Sequence, residues 1–308
     1  MNYIPIVFCF DDNILMPAGI CISSLLENAK SDTFYDIFIL HDNFAKYPYS
    51  GFLERLYDKY KNFRINYRNI GNQFDNAFEI RGITKATYYR LLIPNVISEY
   101  DKIMYHDVDV IFRDDLSQIF HSTEMEGFYY AGVSSPYSEI SSYVNQHIGV
   151  PIEKYIATGN LIINSKLIRK DNIVSQLLDC AKKKWKYQDM DVINFTCKNY
   201  IKILAPYFCV VGTTSEILKN INQPFYSKEE AEMARTIGII HYNGSKPWNG
   251  WCYNFDIWWE YYRKSIYYDP EFYFNFYQNK LLEYDQLGLV KRLKIFVRYF
   301  THKKEKIQ

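Results

Sequence analysis

The segment YHDVDVIF, residues 105–112, contains the two carboxylates of this 308-residue chain whose spacing is best suited to chemistry. In an extended segment the side chains of Asp107 and Asp109 point to one side, and Val108 points to the other. Two carboxylates on one side, where an apolar strand ends, suit a hard divalent cation. The same pattern also arises where a strand ends in an ordinary polar turn, so this segment alone leaves both interpretations open.

A second group of polar residues lies in GIIHYNGSKPWNGW, residues 238–251. An apolar strand delivers His241, and the turn after it presents Gly244 and Lys246. An imidazole can complete a metal site that already holds two carboxylates, a lysine can contact phosphate as a point charge, and glycine lets the backbone approach an anion closely. The alternative is that His241 is a hydrogen-bonded structural residue. For the two tryptophans, Trp248 and Trp251, the alternative to a role in the site is core packing.

Three polar residues, Asp11, Asp12 and Asn13, follow the first apolar segment of the chain. Where the first strand of an α/β sheet ends, such acceptors can pair with the N–H groups of a nucleobase. An aspartate or asparagine at this point can equally cap the N-terminus of the next helix. Spacing alone does not separate the two interpretations.

The elements that must position these residues alternate between strands and helices over the first 110 residues. Short apolar segments alternate with segments whose apolar residues recur at helical spacing. This order predicts an α/β fold with a mostly parallel sheet covered on both faces. The predicted strands are 4–10, 35–40, 63–67, 101–105, 129–133, 161–163 and 238–241, and the predicted helices are 14–26, 50–60, 84–92 (ended by Pro94), 167–186 and 188–195.

Composition excludes several classes of protein. The chain is 48% hydrophobic and 23% charged, which excludes a disordered, collagen-like or low-complexity chain. Its net charge of +1 argues against a nucleic-acid partner. No run of 18 apolar residues and no basic leader are present, so we expect a cytoplasmic protein. The six cysteines form no CxxC pair, which predicts buried, reduced thiols.

Five motifs occur in a recognisable order: FCFDDN (8–13), TYYRLLIP (87–94), KIMYHDVDVIF (102–112), QDMDVIN (188–194) and HYNGSKPW (241–248). With these motifs the chain resembles glycosyltransferase family 8 over most of residues 4–260. That family comprises retaining nucleotide-sugar transferases, among them glycogenin and bacterial lipooligosaccharide galactosyl- and glucosyltransferases. The resemblance implies a GT-A fold, which is a Rossmann-like mixed sheet flanked by helices. It also implies a Mn²⁺ (or Mg²⁺) ion and a UDP-hexose donor.

The resemblance further implies a role for each residue that matches a family motif. The implied metal ligands are Asp107, Asp109 and His241, with Val108 part of the same donor-binding segment. The implied contacts to the donor are Lys246 and the backbone near Gly244 at the phosphates, Asp11 and Asn13 at the uridine, and Arg90 and Asp189 at the sugar.

Three positions depart from the family pattern. Ile14 stands where relatives often carry an aromatic residue that stacks on uracil, and Ala157 stands where close relatives carry Asn. Met190 replaces a glutamine of the sugar-facing helix, and a thioether supplies neither its nucleophile nor its hydrogen bond. We therefore expect front-face attack by the acceptor hydroxyl, with the leaving phosphate as base. Asp191 is a candidate substitute for the glutamine, and the alternative is an exposed helix carboxylate.

The C-terminal region differs in charge from the rest of the chain. Residues 286–308 carry a net charge of +6, which leaves −5 for the residues before them. Basic residues beside an apolar helical face are typical of a helix that lies on an anionic membrane. The alternative is a solvated terminal helix packed on the body. We predict a catalytic domain over residues 1–265 and a helical C-terminal region over 266–308. The predicted apolar face comprises Leu289, Leu293, Phe296, Val297 and Phe300.

Together these features predict a metal-dependent retaining glycosyltransferase. It would move a hexose from UDP-glucose or UDP-galactose to a saccharide or glycolipid acceptor, such as lipopolysaccharide, capsule or another cell-surface glycan. The basic tail would hold it at the inner face of the cell membrane. The alternative is a catalytically inactive protein that binds UDP-sugar or saccharide on the same fold. A nucleotidyltransferase is disfavoured, because no glycine-rich phosphate loop follows the first strand.

Overall fold

A computed structural model describes residues 2–42, 50–80, 82–220 and 222–301. Within these ranges strands and helices alternate along the first half of the chain, as predicted. The strands are β1 (Asn2–Cys9), β2 (Thr33–His41), β3 (Phe63–Asn69), β4 (Ile103–His106), β5 (Val110–Ile111), β6 (Tyr130–Gly132), β7 (Asn160–Ile163), β8 (Ile201–Ile203) and β9 (Ile240–His241).

Seven of these strands form one mixed sheet in the order β3-β2-β1-β4-β7-β6-β8. Among the strands of this described sheet, β7 alone runs antiparallel to its neighbours. The carboxyl ends of β1, β4 and β6 therefore meet at one edge, together with the amino end of β7. Asp11, Asp107 and Gly159 lie just beyond these strand ends, so the fold places three distant segments along a single edge of the sheet.

The helices cover both faces of this sheet. Alternate residues of β1 point to opposite sides. Ile6 and Phe8 pack in one hydrophobic cluster with residues of the first and eleventh helices. Val7 and Cys9 pack in a second cluster, on the other face, with residues of the seventh and eighth helices. The helices are α1 (Leu15–Glu27), α2 (Ser50–Glu54), α3 (Ile93–Val96), α4 (Ser117–Ser122), α5 (Ser141–Tyr143), α6 (Ser165–Lys170), α7 (Ile173–Ala181), α8 (Gln188–Cys197), α9 (Gly212–Leu218), α10 (Lys228–Thr236), α11 (Phe255–Lys264), α12 (Pro270–Asp285) and α13 (Leu289–Thr301).

Three predicted helices differ from the structure in type or continuity. The helix predicted over 50–60 is α2 followed by the 3-10 helix Arg55–Asp58. The segment Lys85–Leu92 is a 3-10 helix, and Pro94 lies in the first turn of α3 instead of ending a helix. Proline fits there because first-turn N–H groups have no partner within the helix. The predicted helix 167–186 is divided into α6 and α7, because Asn172 adopts a left-handed conformation with φ of 52°.

The C-terminal helices begin with an aromatic contact to the body. On α12, Phe276 packs against Phe255 and Trp259 of α11, so apolar contacts cross the predicted boundary at residue 265. That boundary itself stays a prediction. Among the described helices, none has both the length and the apolarity needed to cross a bilayer. All six cysteines lie in the described ranges as free thiols, but Cys252 is only half-buried, so the prediction of burial holds for the other five.

Candidate donor and metal site

Two carboxylates and an imidazole converge at the carboxyl edge of the sheet. Strand β5 begins directly after Asp109 and pairs with β9, so that Val110 lies opposite His241. The Nε2 atom of His241 is 3.2 Å from Oδ1 of Asp109 and 3.7 Å from Oδ2 of Asp107. One ligand atom from each of the three residues lies within 4.8 Å of the others. The structure therefore brings together the three predicted metal ligands.

Gly159 forms one wall of this group. Its carbonyl oxygen accepts a hydrogen bond of 2.8 Å from the backbone N–H of Asp107. A Cβ atom built on Gly159 would lie 2.2 Å from Cε1 of His241 and 2.6 Å from Oδ2 of Asp107. Only a residue without a side chain leaves room at this position for both the carboxylate and the imidazole.

The three side chains change one another's ionisation. Burial and the nearby Asp109 raise the pKa of the Asp107 carboxyl above its ordinary value, although Arg90 opposes this shift. Burial opposes ionisation of Asp109, but the charges of His241 and Lys246 outweigh it and hold the pKa of this carboxyl below its ordinary value. Burial also disfavours charge on His241, yet Asp109 raises the pKa of the imidazole well above its ordinary value. The Lys246 ammonium also contacts Asp109 directly. A metal ion would take the place of the imidazole proton, because only a neutral imidazole binds a metal. Carboxylate ligands suit Mn²⁺ and Mg²⁺, so the donor set fits the predicted ion.

Arg90 connects Asp107, a predicted metal ligand, to Asp189 on helix α8. It is 4% exposed. Its Nη2 is 2.9 Å from Oδ1 of Asp107, and its Nη1 is 3.2 Å from Oδ2 of Asp189. Nη1 also donates a 2.6 Å hydrogen bond to the carbonyl of Thr158. Burial disfavours the charge, but the two carboxylates raise the pKa of the guanidinium above its ordinary value.

The carboxylates of Asp189 and Asp191 lie in different surroundings. Asp189 accepts hydrogen bonds from the hydroxyls of Thr87 (2.5 Å) and Thr158 (2.7 Å). Asp191 is fully buried and accepts from the hydroxyls of two tyrosines, each at 2.6 Å, and from a backbone N–H at 2.8 Å. The alternative of an exposed carboxylate at Asp191 is therefore wrong, and the structure does not bring Asp191 to Arg90. Its hydrogen-bond donors are Tyr143, Tyr155 and the N–H of Tyr187.

Of the two interpretations of the polar residues after β1, the structure shows helix capping by Asp11, and pairing with a nucleobase stays a prediction. One oxygen of Asp11 accepts a 3.0 Å hydrogen bond from the N–H of Asn13, so this carboxylate caps the short 3-10 helix Asp12–Ile14. Its other oxygen accepts from the hydroxyl of Thr84 at 3.2 Å. Asn13 is exposed at the sheet edge and remains accessible to a ligand.

The structure locates the three residues that depart from the family pattern. Ile14 and Ala157 are half-buried against the core, and Met190 packs in a small apolar cluster beneath residues 140–155. Thr87, Thr158 and Gly159 also line the site, although no local pattern in the sequence marks them, because their contacts join segments that are distant in the chain.

A cavity of about 540 Å³ opens beside His241. It lies between the loop after β9 and the start of α9, and its lining includes Tyr137, Gly244 and Trp251. Trp251 is 67% exposed, so core packing does not apply to it. Trp248 is partly buried and packs against the core.

Two solved glycosyltransferases are similar to this chain in fold. The galactosyltransferase LgtC, solved in complex with donor and acceptor sugar analogs, matches with a TM-score of 0.66 and 22% identity over 87% of this chain and 98% of that one. The bifunctional glycosyltransferase WbbM matches with a TM-score of 0.72 and 22% identity over 88% of this chain and 51% of that one. These likenesses show the GT-A fold.

The chain belongs to glycosyl transferase family 8, whose family model matches residues 5–252. A lipopolysaccharide 1,2-glucosyltransferase of Escherichia coli is 27% identical over 79% of this chain and 72% of its own length. Glycosyltransferase GlyB of Streptococcus pneumoniae is 26% identical over 59% of this chain. The chain spans 43% of GlyB and 51% of a Haemophilus influenzae relative.

Proposed function

We propose that this protein is a retaining glycosyltransferase that moves a hexose from UDP-glucose or UDP-galactose to a saccharide acceptor of a cell-surface glycan. The observation that carries the proposal is the convergence of Asp107, Asp109 and His241 beside the Lys246 ammonium. A lipopolysaccharide glucosyltransferase among the relatives supports lipopolysaccharide or a similar glycan as the acceptor. Mn²⁺ or Mg²⁺ is the proposed cofactor.

The proposed division of labour follows from charge. Asp107, Asp109 and His241 would hold the divalent ion, which supplies positive charge for the leaving diphosphate. Lys246 places a second positive charge at the same point, because its ammonium is held by Asp109 and by the carbonyl of Tyr242 at 2.5 Å. Such fixed charges stabilise the negative charge that develops on a leaving group.

Direct front-face attack by the acceptor hydroxyl is the proposed route. A covalent intermediate needs a nucleophile at the sugar, and Met190 supplies none. Both oxygens of Asp189 accept hydrogen bonds from threonines, and both oxygens of Asp191 accept from tyrosines. We assign Asp189 and Arg90 to binding and orienting the donor sugar, and Asp11, Asn13 and Gly244 to binding the nucleotide. We assign the buried Asp191 to holding the start of α8 in place through its hydrogen bonds.

Release of UDP from a panel of UDP-hexoses, with and without Mn²⁺, tests the proposal. We expect slow Mn²⁺-dependent hydrolysis of one UDP-hexose, and its loss in Asp109→Asn. Asp179→Asn, which changes an exposed carboxylate on α7, is the matched control. Turnover by Asp109→Asn at the wild-type rate would refute the metal assignment. Binding of a UDP-hexose without turnover on any acceptor would instead support a non-catalytic binding protein.

We also propose that the C-terminal helix binds the cytoplasmic face of the membrane. On α13 the side chains of Leu289, Val290, Leu293 and Val297 are 52–75% exposed. Lys291 lies on the same helix, and basic residues beside an exposed apolar face favour an anionic bilayer. The predicted contributions of Phe296, Phe300 and residues 302–308 lie outside the described side chains and residues.

Co-sedimentation with vesicles tests this membrane proposal. The full chain should pellet with phosphatidylglycerol vesicles and much less with phosphatidylcholine vesicles. A chain ending at residue 285 should lose this binding and keep hydrolysis of the UDP-hexose. Equal pelleting of the two chains would contradict a role for the tail.

A further inference from the structure

We infer that a group of lysines around α8 binds phosphate groups carried by the acceptor saccharide. This group, here called the lysine patch, comprises Lys182, Lys183, Lys184, Lys186 and Lys198. Its members differ from the proposed metal ligands and from the residues that line the cavity beside His241. The inference rests on the proposed function and names the chemical class of its acceptor.

The patch concentrates positive charge in a body whose net charge is negative. Residues 179–187 contain four lysines and one carboxylate, Asp179, so their net charge is +3, and Lys198 raises it to +4. Residues 1–285 taken together carry −5. A local excess of this size favours an anionic ligand.

The ends of two helices account for only part of this charge. A positive residue after a helix balances the partial negative charge of its C-terminus. Lys182 follows α7 and pairs with Asp179 at 2.6 Å, and Lys198 follows α8. The lysines between these two positions exceed what the helix ends require. They are Lys183, Lys184 and Lys186.

Aromatic rings hold the ammonium groups of the patch. The Nζ atom of Lys183 is 5.8 Å from the ring centroid of Trp185 and 5.5 Å from that of Phe195. The Nζ atom of Lys184 is 5.7 Å from the ring centroid of Phe78. Cation–π attraction at these distances restricts side chains that are otherwise exposed. A restricted side chain loses less conformational entropy when it binds a ligand.

The patch is fixed to the proposed sugar site through the start of α8. Lys186 precedes Asp189 by three residues, so their Cα atoms are at most about 11 Å apart. Its Nζ atom lies 5.0 Å from the ring centroid of Tyr143, which follows β6 at the sheet edge that also carries Asp107. The hydroxyl of Tyr143 donates a 2.6 Å hydrogen bond to Asp191 on α8. An oligosaccharide whose hydroxyl reaches the donor can therefore place its phosphates on the patch.

The carboxylates of the neighbouring segments have other partners. Asp189 is paired with Arg90, and Asp191 is fully buried. Glu79 accepts a 2.6 Å hydrogen bond from the backbone N–H of Lys85. An anionic ligand at the patch would therefore meet net positive charge. Lysine contacts phosphate as a point charge with three rotatable N–H donors.

Binding of one oligosaccharide with and without its phosphates tests the inference. The probe is the deacylated oligosaccharide of a bacterial lipopolysaccharide, used before and after its phosphates are removed with hydrofluoric acid. Titration calorimetry in the presence of UDP and Mg²⁺ measures the affinity without turnover. We expect the phosphorylated form to bind about tenfold more tightly at low salt, since each exposed ion pair contributes a factor of about two to five. The difference should shrink at about 0.5 M salt.

A charge variant and a matched control locate the binding. The patch variant combines Lys183→Gln, Lys184→Gln and Lys186→Gln. It should bind the phosphorylated form about as weakly as the form without phosphates, and it should hydrolyse UDP-hexose at the wild-type rate. The control loses the same charge from exposed lysines of other elements and should keep the wild-type affinity. It combines Lys30→Gln, Lys61→Gln and Lys228→Gln.

Vesicles separate glycan phosphate from lipid headgroups. The chain ending at residue 285 keeps the patch and lacks α13. It should bind the phosphorylated oligosaccharide as tightly as the full chain does, and it should not pellet with phosphatidylglycerol vesicles. Pelleting of this shorter chain that is abolished by the three patch substitutions would assign the patch to a membrane and overturn the inference.

Three other results would also overturn the inference. They are equal affinity for the two forms of the oligosaccharide, no binding of the phosphorylated form, and wild-type affinity in the patch variant. Absence of hydrolysis with every UDP-hexose would refute the proposed function itself. Because oligosaccharide binding is measured without turnover, the two failures are distinguishable.

Discussion

Replacement of Gly159 by alanine tests the geometry of the metal site with one methyl group. The new Cβ would lie 2.2 Å from Cε1 of His241, whereas ordinary contacts begin near 3.4 Å. The imidazole or Asp107 must therefore move by about 1 Å, several times the ~0.2 Å tolerance of metal–ligand distances. The backbone of Gly159 is not in the left-handed region, so the effect of alanine is steric.

We expect Gly159→Ala to weaken Mn²⁺ binding by about 100-fold and to lower kcat/KM by a similar factor. Overpacking should reduce the free energy of unfolding by about 2 kcal/mol, which leaves the protein folded at 25 °C if its stability is ordinary. Free Mn²⁺ measured by electron paramagnetic resonance gives the affinity, and thermal unfolding gives the stability. These two readouts do not depend on turnover.

Two other glycines provide matched controls. A Cβ on Gly51 would meet nothing within 4 Å, so Gly51→Ala should leave affinity and stability nearly unchanged. A Cβ on Gly19 would lie 2.7 Å from ring atoms of Phe52 and Tyr267. Gly19→Ala should therefore destabilise the fold without weakening Mn²⁺ binding. Wild-type Mn²⁺ affinity in a folded Gly159→Ala variant would refute the proposed arrangement of ligands.

Two further predictions concern stability. Burial opposes ionisation of Asp36, but hydrogen bonds from Arg64, Tyr100 and Asn66 outweigh it and lower the pKa of this carboxyl. The ionised carboxylate therefore stabilises the folded state above about pH 4, and this stabilisation is lost as the pH falls through the folded-state pKa. Asp36→Asn should lower the free energy of unfolding by about 2 kcal/mol at pH 7. Denaturant unfolding should show that this difference from the wild type becomes smaller below pH 4, and a difference that stays constant with pH would contradict the assignment. Asn172 has a left-handed backbone with φ of 52°. Alanine at this position should lower the free energy of unfolding by about 1 kcal/mol, whereas glycine should leave it unchanged or raise it. Thermal unfolding of the two variants measures the difference. Equal stability of the two would show that the left-handed backbone is not the cause.

The sequence could predict those parts of the site that depend only on residues close together in the chain. Alternation of side chains along a strand is a short-range property, so the shared direction of Asp107 and Asp109 follows from two residues and an apolar neighbour. The placement of Asp11 beyond the first strand is likewise local. The division of the helix predicted over 167–186 was missed, because asparagine adopts left-handed backbone too rarely for Asn172 to mark a break.

The sequence by itself determined the α/β order of elements, the strand-end carboxylates and the family motifs, because these depend on residue type and near spacing. Only the tertiary structure decided that β5–β9 pairing brings His241 to Asp109, that Gly159 leaves room for both, and that Asp191 is buried among tyrosines. The exposure of Trp251 beside a cavity was likewise decided only by the tertiary structure. Each of these depends on contacts between segments far apart in the chain, and the packing of those segments fixes distances that no local pattern encodes.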